Sequence, residues 1–233
     1  MNYALIFSGG VGRRMDYSSD IPKQFLQIGG QTILARTIKK FQNHDKIDGI
    51  VVVCVGTHIA ACHDEISRHG LSKVIDVVEG GTTAQKSILI GLRRLKEVSS
   101  ANTTVLIHDG VRPIIGDRLI SKNIETVEKS GSAVSIVPCS ETILFRSNQG
   151  GDGYKALVRQ DCVIARAPQC YKIDDVLPAA EAAFKGNLAF VDTYSLMETY
   201  GISAVPVECD PSNIKITTYS DFLTAKILIE EGI

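Results

Sequence analysis

Several short strings in this chain combine groups that hold phosphate. Ser8-Gly9-Gly10-Val11-Gly12-Arg13-Arg14-Met15 follows the apolar run Tyr3-Ala4-Leu5-Ile6-Phe7, and Pro22-Lys23-Gln24 comes one loop later. A glycine turn at the end of a buried strand offers backbone N–H groups to an anion, and the missing Cβ lets that backbone come close. Arg13, Arg14 and Lys23 add positive charge, the arginines as forked donors that match phosphate oxygens. The chemistry this predicts is a nucleoside triphosphate gripped by its phosphates. A dinucleotide fingerprint would need a third glycine where Met15 stands, and no G-x-x-x-x-G-K-[ST] string occurs. A glycine turn that merely joins strand to loop is the plainer alternative, and the cations beside it count against that.

Three further strings carry complementary chemistry. His108-Asp109-Gly110-Val111-Arg112-Pro113 directly follows the apolar Val105-Leu106-Ile107. Triphosphate chemistry uses a divalent ion, and Mg²⁺ prefers one or two carboxylates plus phosphate oxygens and water, so Asp109 is the candidate metal ligand. Arg112 would meet a substrate anion. His108 reads as a strand-end histidine satisfied by backbone, and a turn cap is the alternative for Asp109. In Glu79-Gly80-Gly81-Thr82-Thr83-Ala84-Gln85-Lys86-Ser87 the glycines admit a flat base, and Thr82, Thr83 and Ser87 offer hydroxyl and backbone groups to its edge; an ordinary strand-to-helix turn is the alternative. In Asn213-Ile214-Lys215-Ile216-Thr217 a lone lysine sits on an apolar segment, where burial is costly unless an anion accompanies it.

Alternating strands and helices must position these strings. Ile50–Val55, Val74–Val78 and Val105–Ile107 are continuous apolar runs, as strands buried on both faces require. Helical spacing follows the candidate caps Thr32, Thr83 and Asp117, and Thr57 reads as a fourth cap after the strand ending at Val55. The pattern predicts an α/β fold: a Rossmann-like open, mainly parallel sheet with helices on both faces and ligands at the strands' C-terminal ends. After Pro138 the rhythm changes. Segments 141–146 and 154–159 flank a Gly-rich turn, which predicts a protruding β-hairpin arm over residues 139–162. Such a hairpin buries little alone, so packing on a second subunit would account for it.

The whole chain bounds the rest. Its 233 residues predict a single domain, 1–233, and an apolar share of 44% allows a substantial core. A net charge of −1 gives no global field for nucleic acid or anionic membranes. No run approaches the roughly 20 apolar residues of a membrane span, and the first residues lack a basic leader, so the expected location is cytoplasmic. The six cysteines contain no C-x-x-C pair and read as free thiols, four of them buried. His58, Cys62, His63 and Asp64 are close in sequence but fall on an ordinary crossover helix rather than a metal site.

In order, the glycine loop with Arg-Met, Pro-Lys-Gln, Gly-Gly…Ser, His-Asp-x-x-Arg-Pro, Thr142, Ala-Pro-Gln, Asp192-Thr193 and Asn-Ile-Lys-Ile-Thr resemble the 2-C-methyl-D-erythritol 4-phosphate cytidylyltransferases and their ribitol-5-phosphate relatives. The resemblance covers nearly the entire chain. It implies a nucleotidyltransferase, dimeric through its arm, that joins CTP to a polyol phosphate with Mg²⁺ and releases pyrophosphate. Matched by position, Ser8 and Gly9 to Arg13 hold the triphosphate, and Arg14, Lys23 and Lys215 are catalytic. Gly80, Gly81, Thr82 and Ser87 recognise cytosine and ribose. Asp109, Arg112, Thr142, Thr193 and Arg159 face the acceptor substrate, Arg159 from the partner's arm.

Departures bear on the acceptor. Ser8-Gly9-Gly10 replaces Ala-Ala-Gly, and Val111 replaces an alanine, both as in the ribitol branch. Ser140-Glu141-Thr142 replaces Arg-Asp-Thr, Ala167 stands where threonine is usual, and Ala84 stands near a usual arginine. The expected acceptor is therefore D-ribitol 5-phosphate, for surface polysaccharide synthesis. The alternatives are the methylerythritol phosphate reaction of isoprenoid biosynthesis and a CTP-binding scaffold without turnover.

Overall fold

The computed structural model describes residues 1–9, 21–146 and 153–232. In chain order its elements are β1 (Asn2–Ser8), β2 (Gln27–Ile28), β3 (Gln31–Thr32), α1 (Ile33–Gln42), β4 (Gly49–Cys54), α2 (Ile59–Arg68), β5 (Val74–Glu79), α3 (Ala84–Val98), β6 (Thr104–Asp109) and α4 (Asp117–Ser130). They continue with β7 (Ser132–Pro138), β8 (Leu144–Arg146), β9 (Tyr154–Ala156), β10 (Val163–Lys172), α5 (Ile173–Lys185), α6 (Thr193–Thr199), β11 (Val205–Glu208) and α7 (Tyr219–Glu230). Seven strands form the central sheet in the order β11-β7-β10-β6-β1-β4-β5. All run parallel except β10, which is antiparallel to both β6 and β7. This is the predicted α/β, mainly parallel architecture.

Period-two alternation divides the core between the sheet's faces. Ala4, Ile6, Ile50, Val52 and Leu106 pack with Leu34, Ile38 and Ile124 from α1 and α4. Leu5, Val51, Val53, Val105 and Ile107 pack with Leu92, Val176 and Leu196 from α3, α5 and α6. A smaller cluster ties Ile28, Ile33 and Val111 to Ile216 and Ala225, docking α7 near the site. Two predicted caps are present: Thr32 accepts from the Ala35 N–H at 3.1 Å and Thr83 from the Lys86 N–H at 3.1 Å. The other two shift. Gly116 is the cap of α4, with Asp117 in its first turn, and a 3₁₀ turn over Gly56–His58 separates Thr57 from α2. An acid in the first turn still complements the helix dipole without capping it.

Two expectations are corrected. The Lys215 side chain is 41% exposed rather than buried. The arm's strands are shorter than 141–146 and 154–159; β8 and β9 pair antiparallel over three residues each. β10, which the sequence pattern did not single out, is a ten-residue strand that borders the site. The Gly-rich turn at 147–152 lies outside the described residues. No helix among the described residues is long and apolar enough to cross a membrane.

α3 lies close on the sheet because Gly91 faces it. A Cβ there would press into Leu5 Cδ1 and come within 2.8 Å of Val53 Cγ2, both on fully buried side chains. Gly91→Ala should therefore destabilise the fold by about 1 kcal/mol net. The helix-propensity gain of about 1 kcal/mol is outweighed by an overpacking cost of roughly 1–3 kcal/mol. Urea unfolding measures this, and unchanged or higher stability would contradict the packing described.

Candidate active site

The predicted groups gather at the C-terminal ends of β1, β5 and β6 in two adjoining clusters. In the first, two glycine strings meet over one hydroxyl. Ser87 is fully buried near the start of α3; its Oγ accepts from the Gly81 N–H at 3.1 Å and donates to the Thr83 carbonyl at 2.9 Å. A Cβ at Gly80 would stand 2.8 Å from that Oγ, and one at Gly9 would stand 3.0 Å from it. Only glycine permits both loops to close on Ser87. Ser8, at the end of β1, is buried with an Oγ that has no hydrogen-bond partner among the described residues, and Thr82 is exposed beside this junction. Gly10, Val11, Gly12, Arg13 and Arg14 lie outside the described residues.

The second cluster centres on Asp109 at the end of β6. Its carboxylate takes the Arg112 Nε at 2.8 Å and the Lys215 Nζ at 2.5 Å. Burial pushes its pKa up, but the Arg112 and Lys215 charges outweigh that and hold it at about 2. Arg112 also donates to the Asn213 carbonyl at 3.0 Å, and Asn213 Nδ2 donates to the Ala167 carbonyl at 2.7 Å, tying β6 to β10 through the 213–217 segment. Lys23 Nζ donates to the Ile216 carbonyl at 3.1 Å, which places the Pro-Lys-Gln string beside Lys215. The anion that Lys215 meets is thus supplied by the chain itself.

Asp109, Arg112, Thr193 and Lys215 line one cleft of about 250 Å³. That is below the roughly 300–1,000 Å³ of sites that enclose drug-sized ligands. Thr142 and Arg159 do not line the cleft; both are exposed, and Arg159 donates to the Ser140 carbonyl at 3.1 Å. The cleft also contains Gln85, Arg166, Gln169 and Asp192, which the sequence reading left out of the site. Gln85 clamps the wall, donating to the Leu188 carbonyl at 2.9 Å and accepting from the Phe190 N–H at 3.3 Å. Gln169 donates to Asp192 at 3.1 Å and accepts from the Tyr194 N–H at 2.8 Å. Arg166 carried a usable signal: a lone charge within Val163-Ile164-Ala165-Arg166-Ala167, the same kind that singled out Lys215.

A resident magnesium ion on Asp109 does not fit this arrangement. Each carboxylate oxygen is already held by a cation, so a third positive charge there would meet repulsion. Among the described residues no group of three or more His, Cys, Asp or Glu side chains is placed to hold a metal. A divalent ion would have to be carried by the oxygens of the triphosphate.

Comparison with known proteins identifies the framework. The family model described as 2-C-methyl-D-erythritol 4-phosphate cytidylyltransferase matches residues 3–231. This chain belongs to that family. Among its family relatives, a ribitol-5-phosphate cytidylyltransferase of Streptococcus agalactiae serotype V is 40% identical over 231 residues, covering 99% of this chain and 95% of the relative. A 2-C-methyl-D-erythritol 4-phosphate cytidylyltransferase of Clostridium novyi is 36% identical over 230 residues, covering 98% and 96%. The crystal structure of the Francisella tularensis 2-C-methyl-D-erythritol 4-phosphate cytidylyltransferase superposes with a TM-score of 0.78 at 28% identity, covering 97% and 98%. The chain is accordingly a nucleotidyltransferase of the cytidylyltransferase type.

His108 supports this family site from beneath. Its ring is fully buried, edge-on to Phe41 with ring centroids 5.0 Å apart. Its Nε2 lies 3.1 Å from the Arg112 carbonyl, which requires the Nε2–H tautomer. Burial lowers its pKa from 6.5 to about 4, so the folded protein excludes a proton that the unfolded chain binds between those values. Stability should therefore fall by about 3 kcal/mol as the pH drops from 7 to 4, and His108→Gln should remove that part of the slope. Asp109 adds a second loss below pH 4, as its depressed pKa is approached. Chemical unfolding across this range is the measurement; an unchanged slope in His108→Gln would contradict the assignment.

Proposed function

We propose that this chain joins CTP to D-ribitol 5-phosphate, releasing pyrophosphate and giving CDP-ribitol for surface polysaccharide synthesis. One observation carries the choice of acceptor: Ala167, which stands where a threonine is usual, lines the cleft, and so does Ala84, which stands near an arginine usual in both branches. Removing a guanidinium and a hydroxyl from the lining changes which acceptor hydroxyls are recognised. The 40% identity to the streptococcal ribitol-5-phosphate enzyme supports the same reading. Methylerythritol phosphate is the second reading, supported by the family description and the clostridial relative.

In the proposed reaction an oxygen of the acceptor phosphate attacks the α-phosphorus of CTP. The new O–P bond forms as the bond between the α-phosphorus and its β-bridging oxygen breaks, and pyrophosphate leaves. The acceptor phosphate is already anionic, so no general base is required, and positioning with charge neutralisation can carry the rate. The loops meeting at Ser87 would hold the cytidine, with Gly9 to Arg13 on the triphosphate. Arg14 and Lys23 would offset charge developing on the transferred group and on pyrophosphate. Lys215, with Arg112 and Thr193, would orient the acceptor phosphate and polyol.

The arm belongs to this reading. Leu144, Phe145, Tyr154 and Val158 are each more than half exposed, an apolar surface on a pair of strands too short to be stable alone. A second copy packed there in two-fold symmetry would cover it and bring Thr142 and Arg159 to the neighbouring cleft. A cytoplasmic location keeps the enzyme with its nucleotide.

The test is pyrophosphate release from CTP with a panel of polyol phosphates. D-ribitol 5-phosphate should give a kcat/KM at least about tenfold above 2-C-methyl-D-erythritol 4-phosphate, the discrimination expected from about one altered polar contact. The reverse order would transfer the assignment to isoprenoid synthesis. CTP binding with no turnover on any acceptor would leave a nucleotide-binding scaffold.

A further inference from the structure

Among the described residues, Arg166 in the cleft has no counterion in contact. Arg166 lies in the register shift of β10 between Ala165 and Gln169, where a strand leaves its regular ladder and re-aims its side chains. Its neighbours in the cleft are committed: Arg112 and Lys215 share Asp109. Asp192 caps α6 by accepting from the Ser195 N–H at 2.9 Å, and it also accepts from Gln169 Nε2 at 3.1 Å. Arg166 makes no hydrogen bond or ion pair among the described residues, and its Nε is buried with no acceptor. Burial, and then the nearby Arg112 charge, work against its protonated form. A guanidinium nevertheless stays charged in proteins, so among the described residues this positive charge faces the cleft without an ion-pair partner.

We propose that Arg166 holds the phosphate of the acceptor polyol phosphate, the group whose oxygen attacks CTP. This rests on the functional reading above. In the sheet order Arg166, on β10, lies beyond β6 from Ser8 and Gly9 at the end of β1, where the glycine string begins. Charge separates a phosphate from a polyol hydroxyl as the partner. A hydroxyl would fill a hydrogen bond but leave the charge unbalanced, whereas a phosphate monoester matches the guanidinium fork with two oxygens and neutralises it. Ala165 and Ala167 flank Arg166 with no competing side-chain donor. The residue thus occupies a position where an acceptor anion completes what the chain leaves open.

The experiment compares wild type, Arg166→Ala and Arg166→Lys in initial rates with D-ribitol 5-phosphate and with 2-C-methyl-D-erythritol 4-phosphate, alongside calorimetric CTP binding. Arg166→Ala should raise the acceptor KM about 10- to 100-fold, the scale of one charge-assisted pair, and leave the CTP dissociation constant within about twofold. Arg166→Lys, which keeps the charge without the fork, should fall between; it decides the matter if the alanine chain fails to bind CTP. Because the phosphate is common to both acceptors, the loss should be similar for each one the wild type uses. An unchanged acceptor KM, or a loss of CTP affinity equal to that for the acceptor, would overturn the proposal. If the wild type uses neither acceptor, the functional reading fails on its own. Inorganic phosphate then tests Arg166: it should raise the thermal midpoint of the wild type more than that of Arg166→Ala, and equal shifts would overturn the assignment.

Discussion

A buried carboxylate at the end of β6 is the constraint on which the site depends. An ionised Asp109 so far from water is unfavourable unless positive charge accompanies it, and Arg112 and Lys215 provide it. Satisfying that charge fixes the local backbone. Arg112 reaches past Asp109 to the Asn213 carbonyl, and Asn213 reaches on to the Ala167 carbonyl. Strand, turn, C-terminal segment and β10 are thereby held in one polar network. Removing either cation would leave the other partner buried and unbalanced, which is why so much of the cleft's geometry follows from one ion-pair cluster.

The sheet translates that network into a working arrangement. β1 lies between β4 and β6, so Ser8 at the end of β1 and Asp109 at the end of β6 stand on neighbouring strands, joined by the Gly110 N–H donating to the Phe7 carbonyl at 2.9 Å. The loops over Ser87 close a neutral, backbone-rich surface suited to a base and ribose. The neighbouring cleft is small and mostly apolar, with Arg112, Arg166, Lys215, Asp109 and Asp192 among its lining. The two clusters share the strand ends at which open parallel α/β sheets bind their ligands.

Much of this was legible in the sequence because the physics is local. Strands buried on both faces read as the apolar runs at Ile50, Val74 and Val105, and Thr32 and Thr83 cap helices at the positions their spacing indicated. Asp109, Arg112, Thr193 and Lys215 do converge. What was missed depends on contacts distant in sequence. Lys215 read as buried from its apolar neighbours, yet its partner is a carboxylate on another strand that no local pattern reveals. β10 escaped notice because Pro168 and the register shift break its alternation, and Arg166 escaped with it. Gln85 looks like an ordinary first-turn helix residue; its role as a clamp arises only when residues 188–190 fold against it.

The central claim is that Asp109 and Lys215 act as one unit. A double-mutant cycle tests it most directly, with kcat/KM for CTP and the preferred acceptor measured in wild type, Asp109→Asn, Lys215→Met and the double variant. If the pair works as a unit, the double variant should lie within about threefold of the weaker single variant, since coupled neighbours are strongly non-additive. Losses that multiply, so that the double variant shows the product of the two single effects, would contradict the account and return Asp109 and Lys215 to independent roles.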